Sequence, residues 1–151
     1  MPRTVLITGA SGFVGRHLLP ALRRAFPETR LIPTSRHAGT TVDGIDATRL
    51  NLEAPDEIRS VLGTCNPDII IHLSGLASPR AAAADPDAAE RCNYGDAVGF
   101  AEIVRTRFPE TVFIFISSAA VYGESARSGV ALDESAPSRR YAWPCSRARR
   151  E

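Results

Sequence analysis

Apolar residues fall into two alternating patterns along this chain, short unbroken runs and longer stretches with helical spacing. That alternation predicts strands separated by helices. Val5-Leu6-Ile7 is the first unbroken run, of the kind found in parallel strands covered on both faces. Val14, Leu18, Leu22 and Phe26 then recur at helical spacing, predicting a helix to about Phe26 that packs on the sheet, with Pro20 inside it to be accommodated or to bend it. Arg30 to Thr34 reads as a second strand weakened by Pro33, and a short third strand falls near Gly44 to Ala47. Pro55 to Leu62 reads as a helix with proline and acids in its first turn. Asp68 to Leu73 is the strongest strand in the sequence, Ala81 to Ala84 suits a short helix, and Ala88 to Phe108 suits a long one marked by Val98, Ala101 and Val104 or Arg105. Val112 to Ile116 completes the series as a fifth buried strand. The fold class predicted is α/β, a parallel sheet of about five strands with helices on both faces.

Composition narrows the function classes. The chain's 151 residues suffice for one core and not for two ordinary domains. A net charge of +1 gives no reason to expect nucleic acid or membrane as a partner, and no apolar run nears the roughly 18 residues of a membrane span. Met1-Pro2-Arg3 leads straight into the first strand without a secretory leader, so the expected location is cytoplasmic. Cys65, Cys92 and Cys145 are odd in number and widely spaced, which suits a reducing compartment and neither a disulfide framework nor a metal site. His17, His37 and His72 are scattered and read as structural or surface residues.

The chemistry concentrates where the first strand ends. Gly9, Gly12 and Gly15 separate it from the first helix. Glycine accepts positive φ and lacks a Cβ, so such a turn can be tight and its amides can approach a ligand. The helix N-terminus adds about half a positive charge, and a pyrophosphate is the natural occupant. Three glycines alone also fit an ordinary strand-to-helix turn, and the spacing is G-x-x-G-x-x-G rather than G-x-G-x-x-G. Their place directly after an apolar strand and before an amphipathic helix favours nucleotide binding. About 20 residues on, where NAD users commonly carry an acid, the chain has Thr34-Ser35-Arg36-His37. Arg36 can pair with a 2′-phosphate and Ser35 can hydrogen-bond it, so NADP is favoured over NAD; the bland alternative is a solvated loop charge. Ser74-Gly75-Leu76-Ala77 follows the strongest strand, where it should line the nicotinamide ribose side of such a ligand.

Thr8-Gly9-Ala10-Ser11-Gly12-Phe13-Val14-Gly15, with Asp68 to Leu73 and Ser117-Ser118-Ala119-Ala120-Val121-Tyr122-Gly123, resembles the extended short-chain dehydrogenase/reductase family. That family includes NAD(P)-dependent epimerases, dehydratases and reductases of nucleotide sugars. The resemblance implies a Rossmann-type domain and assigns cofactor contacts to Gly9, Ser11, Gly12, Phe13, Val14 and Gly15. It extends them to Ser35, Arg36, Leu73, Ser74 and Gly75. It further implies that Asn51-Leu52 meets the adenine, with Asn standing where the family has an acid, and that Asn93 fixes backbone near the site. Ser118 becomes the catalytic serine that polarises the substrate oxygen. Helices placed like that at 88–108 commonly form the family's dimer face, which makes a homodimer a candidate assembly.

After Pro137 the likeness degrades. The family's Tyr-x-x-x-Lys pair stands on one helical face; here Tyr141 is the only tyrosine at that place, and Cys145 occupies the lysine's position. Lowering a tyrosine from about 10 to neutrality takes roughly 4 kcal/mol, and a lysine charge about 4 Å away at an effective dielectric of 20 supplies roughly that much. A neutral thiol supplies none of it. Pro144 also disfavours a helix carrying Tyr141 and Cys145. The expected organisation is therefore an incomplete NAD(P)-binding domain over residues 1–137 and an atypical arginine-rich tail over 138–151, truncated before the family's substrate domain or altered in reading frame. Such an ending should leave a sheet edge uncovered. The resulting expectation is hydride transfer at a sugar carbon, impaired in this chain, with weak lean toward a keto-sugar reductase from Ser35-Arg36 and the loop 127–132. A dinucleotide-binding module without catalysis and an inactive fragment are the alternatives.

Overall fold

The computed structural model describes residues 3–118 and residue 131. Its main sheet has five strands: β1 (Thr4–Thr8), β2 (Arg30–Ser35), β5 (Thr48–Arg49), β6 (Ile69–His72) and β7 (Val112–Phe115). They lie in the order β5-β2-β1-β6-β7, and every pairing is parallel. The intervening β3 (Thr41–Val42) and β4 (Ile45–Asp46) pair only with each other. Chain order reverses at β1, between β2 and β6. In an open parallel sheet this reversal leaves a crevice beyond the carboxyl ends of the strands.

Alternation along β1 divides the interior in two. Val5 and Ile7 face one side, where they pack with Leu19 of α1 (Phe13–Ala25) and with Val42. Leu6 faces the other side, with Ile32 and Ile70, under Ile58 and Leu62 of α2 (Pro55–Cys65) and Phe100 and Val104 of α5 (Asp96–Arg107). Helices thus cover both faces, as the pattern of apolar runs requires. Two short helices, α3 (Pro79–Ala84) and α4 (Pro86–Glu90), connect β6 to the segment before α5.

Pro33 is accommodated inside β2 by register. The Arg30 amide donates to the Arg3 carbonyl at 2.9 Å, so alternate residues from Arg30 onward point their amides at β1 and Pro33 points the other way. On that side β5 pairs only with Thr34 and Ser35, so the missing donor interrupts no ladder. α1 likewise runs unbroken through Pro20.

Four expectations need correction. Residues 44–47 do not supply the third strand of the sheet: β3 and β4 form a small antiparallel hairpin, and the sheet takes Thr48–Arg49 instead. Asp43 and Gly44 both have positive φ, which turns this short hairpin back on itself. In α1 the buried stripe is Gly15, Leu19 and partly Leu22, while Val14 and Phe26 are exposed. The helix expected over 88–108 is divided into α4, a π-helical turn (Arg91–Gly95) and α5, whose buried stripe is Ala97, Phe100 and Val104 rather than Val98, Ala101 and Val104. The extra residue of the π turn shifts the face that follows it. Finally, β7 is not buried: Val112, Ile114, Phe115 and Ile116 are 40–55% exposed, because β6 is its only strand neighbour among the described residues.

Candidate functional site

A cleft of about 340 Å³ opens over the carboxyl ends of β1, β2 and β6. Its floor is the turn after β1. Gly9 has φ +65° there, and a Cβ on it would stand 2.8 Å from the backbone of Leu73 and Ser74. Gly15 serves a different need: a Cβ on it would lie 2.4 Å from the Ala10 carbonyl oxygen, so its absence lets α1 rise directly off the turn.

The start of α1 differs from other helix starts. Gly12 is its N-cap, with no side-chain cap and no acid in the first turn. By contrast α2 carries Asp56 and Glu57, α3 is capped by the Ser78 hydroxyl, and α4 is capped by the Asp85 carboxylate. Helix N-termini leave several amides without intrahelical partners. Here the N-cap, Gly12, lines the cleft and the first turn supplies no acid of its own, which suits an external phosphate. The Arg16 guanidinium donates to the Ser11 carbonyl at 2.8 Å and braces the turn.

One wall comes from the loop after β6. The Ser74 amide donates to the Thr8 hydroxyl at 3.3 Å, and that hydroxyl also contacts His72 Nδ1 at 2.9 Å. Burial among Phe100, Phe113 and Phe115 pushes His72 down to about 4, so the ring is neutral at ordinary pH. Its Nε2 has no hydrogen-bond partner among the described residues. Asn93, in the π turn, accepts the Leu76 amide at 2.6 Å and donates to the Leu76 carbonyl at 3.2 Å. Gly75 leaves room for it: a Cβ there would stand 2.8 Å from Asn93 Oδ1, so the amide would have to shift. Asn93 therefore pins the loop rather than lining the cleft.

The opposite wall lies beyond β2 and β5. Ser35 is buried; its hydroxyl donates to Thr40 and accepts the His37 amide, which holds the strand end in place. Arg36 follows it, exposed and without an ion pair among the described residues. Leu50 and Leu52 supply apolar surface. Asn51 turns inward on its own loop: its Oδ1 accepts the Glu53 amide, and its amide donates to Glu57.

Of the residues expected from sequence, Gly9, Ser11, Gly12, Ser35, Arg36, Leu52, Leu73, Ser74 and Gly75 come together in the cleft. Phe13, Val14, Gly15, Asn51 and Asn93 are not among its lining residues. Phe13 is 82% exposed, edge-on to His17. Ser118 is exposed beyond the end of β7, and Tyr141 lies outside the described residues. Sequence reasoning missed Thr8, Thr34, His37, Leu50, Cys92 and Asp96. The first two had a legible signal, being hydroxyls at strand ends; Asp96 had none, because only the π turn brings it to the cleft. Its carboxyl is pushed up by burial and by Glu53, and pulled down more weakly by Arg91 and Arg36. Among the described residues no group of three or more metal-ligating side chains is assembled, and no helix is long and apolar enough to cross a membrane.

Comparison with known proteins agrees with this geometry. The chain is 28% identical to GDP-6-deoxy-D-mannose reductase of Pseudomonas aeruginosa across 89% of its length, covering 40% of that enzyme. It is 27% identical to UDP-glucuronate 4-epimerase 4 of Arabidopsis thaliana, covering 80% of this chain and 30% of the relative. The structure of RMD from Pseudomonas aeruginosa complexed with NADPH matches with TM-score 0.71 and 27% identity, over 92% of this chain and 42% of that one. The fold is shared with a UDP-glucose 4-epimerase of Thermus thermophilus in complex with NAD, at TM-score 0.76 and 23% identity over 90% of this chain and 44% of that one. The chain thus spans less than half the length of these relatives. The model of the NAD dependent epimerase/dehydratase family matches residues 5–150, nearly the whole sequence, and the chain belongs to that family.

Proposed function

We propose that this chain binds NADP or NAD across the cleft, with the pyrophosphate at the start of α1, as part of an enzyme acting on a nucleotide-activated sugar. The observation that carries the proposal is the α1 N-terminus, whose N-cap Gly12 lines the cleft and which has neither a side-chain cap nor an acid in its first turn. The dinucleotide supplies hydride chemistry when bound. Gly9 and Gly12 let backbone approach the phosphates, Arg36 attracts a 2′-phosphate, Leu50 and Leu52 cover the adenosine, and Asn93 holds Ser74 and Gly75 beside the nicotinamide half. Ser118 would hydrogen-bond the substrate oxygen and Tyr141 would exchange its proton. The lean toward reduction of a keto sugar rests on Ser35-Arg36 and the loop 127–132; the relatives include both a reductase and epimerases.

A second reading is binding without efficient turnover. Cys145 stands four residues after Tyr141, and a neutral thiol gives none of the electrostatic help a lysine would. Titration of the chain with NADPH and NADH, followed by nicotinamide fluorescence and calorimetry, tests both. Micromolar binding is expected. A folded chain that binds neither cofactor would overturn the proposal. Turnover of a keto-sugar nucleotide that rises on Cys145→Lys would separate the two readings in favour of impaired catalysis.

A further inference from the structure

Arg36 and Asp96 line one cleft although sixty residues separate them in sequence. The strand order assigns them a half of the bound ligand. A pyrophosphate at the turn after β1 leaves one nucleoside over β2 and β5 and the other over β6 and β7. The second side carries Ser118 and takes the reactive ring; the first carries Arg36, Leu50 and Leu52 and takes the adenosine. Asp96 belongs to the first side, since α5, which it opens, packs through Phe100 and Val104 in one cluster with Leu50 and Leu52, and Arg91 in the turn before it pairs with Glu53 in the loop after β5. Glu53 already has a cation, with Arg91 Nε at 3.8 Å. Arg36 has no ion pair among the described residues. The cleft therefore offers the adenosine ribose one unpaired cation and one carboxyl.

We infer that Asp96 sets the choice between NADP and NAD, by opposing the 2′-phosphate that Arg36 attracts. The inference rests on the dinucleotide reading above. The two cofactors differ only at the 2′ position, where the phosphate adds about 1.5–2 negative charges. Attraction by Arg36 and repulsion by Asp96 then offset each other, whereas a neutral ribose hydroxyl is not repelled by the carboxylate and can donate to it. No acid stands among the residues directly after β2, Arg36-His37-Ala38-Gly39, and among the residues lining the cleft the carboxyl comes from α5. Partial burial matters here, because charges held off solvent are screened less by salt.

The test is the ratio of NADPH to NADH dissociation constants for the wild-type chain and for Asp96→Asn, which keeps shape and removes charge. The wild-type chain is expected to discriminate by less than about tenfold, and Asp96→Asn to shift the ratio toward NADPH by about tenfold, a change of 1.4 kcal/mol. Arg36→Gln should shift it the opposite way. An unchanged ratio in Asp96→Asn, or equal change for both cofactors, would overturn the role and leave Asp96 as a structural residue. Should that variant not fold, a wild-type preference for NADPH beyond about a hundredfold would overturn it equally. Failure of the folded wild-type chain to bind either cofactor is a different result, since it removes the dinucleotide reading itself.

Discussion

β1 and β7 carry similar sequence, Val-Leu-Ile in one and Val-Phe-Ile-Phe in the other, and they end in different surroundings. β1 lies between β2 and β6 under helices on both faces, and Leu6 and Ile7 are fully buried. β7 pairs with β6 alone among the described residues, and Ile114 is 40% exposed. An apolar run states what a strand can bury, while its neighbours decide whether it does. The cleft follows the same division. Its β1–β2 side is assembled from braced turns and a buried strand end, whereas Ser118 lies on the β7 side and is exposed.

This contrast can be broken most directly at Leu6. Leu6→Ala is expected to cost about 2–5 kcal/mol in denaturant unfolding, because both faces of β1 are covered and a cavity would remain. A cost below about 1 kcal/mol would mean that the centre of the sheet is no better packed than its edge.

Acid should find the seam between the two halves. His72 contacts Thr8 on the β1 side and stacks on Phe115 of β7 with ring centroids 5.6 Å apart. Its folded pKa is about 4 against 6.5 for the free group, so the unfolded chain takes up the proton first. The His72 contribution is therefore full above pH 6.5 and falls as pH drops through that window, by up to about 3 kcal/mol. Urea midpoints between about pH 7 and pH 4.5 measure it. His72→Gln should flatten the slope, and an unaltered slope would show that carboxylates alone set the acid response.

Gly15→Ala tests the turn itself. With the Ala10 carbonyl 2.4 Å from the new Cβ, α1 must shift, at about 1–3 kcal/mol of stability and with weaker NADPH binding. Unchanged melting and titration curves would show that the helix start is free to move. A smaller effect, about 1 kcal/mol or slightly more, is expected for Asn93→Ala, which leaves the Leu76 amide and carbonyl without their side-chain partner. Hydrogen exchange at Leu76 would report the loosened loop. Smallest is Ile114→Ala, below about 1 kcal/mol because the side chain is already part exposed; a loss matching that of Leu6→Ala would erase the contrast between the strands.

What the sequence determined by itself was local. Unbroken apolar runs identified β1, β6 and β7, and β2 was legible despite Pro33. The glycine turn was legible because positive φ at Gly9 and close approach at Gly15 are demands that a side chain would violate. Tertiary structure decided the rest. Thr48–Arg49 is a sheet strand only because β2 offers it an edge, and a two-residue strand leaves no periodicity to read. The buried stripe of α5 depends on one π-helical turn, which rotates everything after it relative to the spacing counted in sequence. The same turn puts Asp96 in the cleft that Arg36 also lines, and Asn93 against Leu76. These meetings depend on distances through space, and local spacing along the chain carries no record of them.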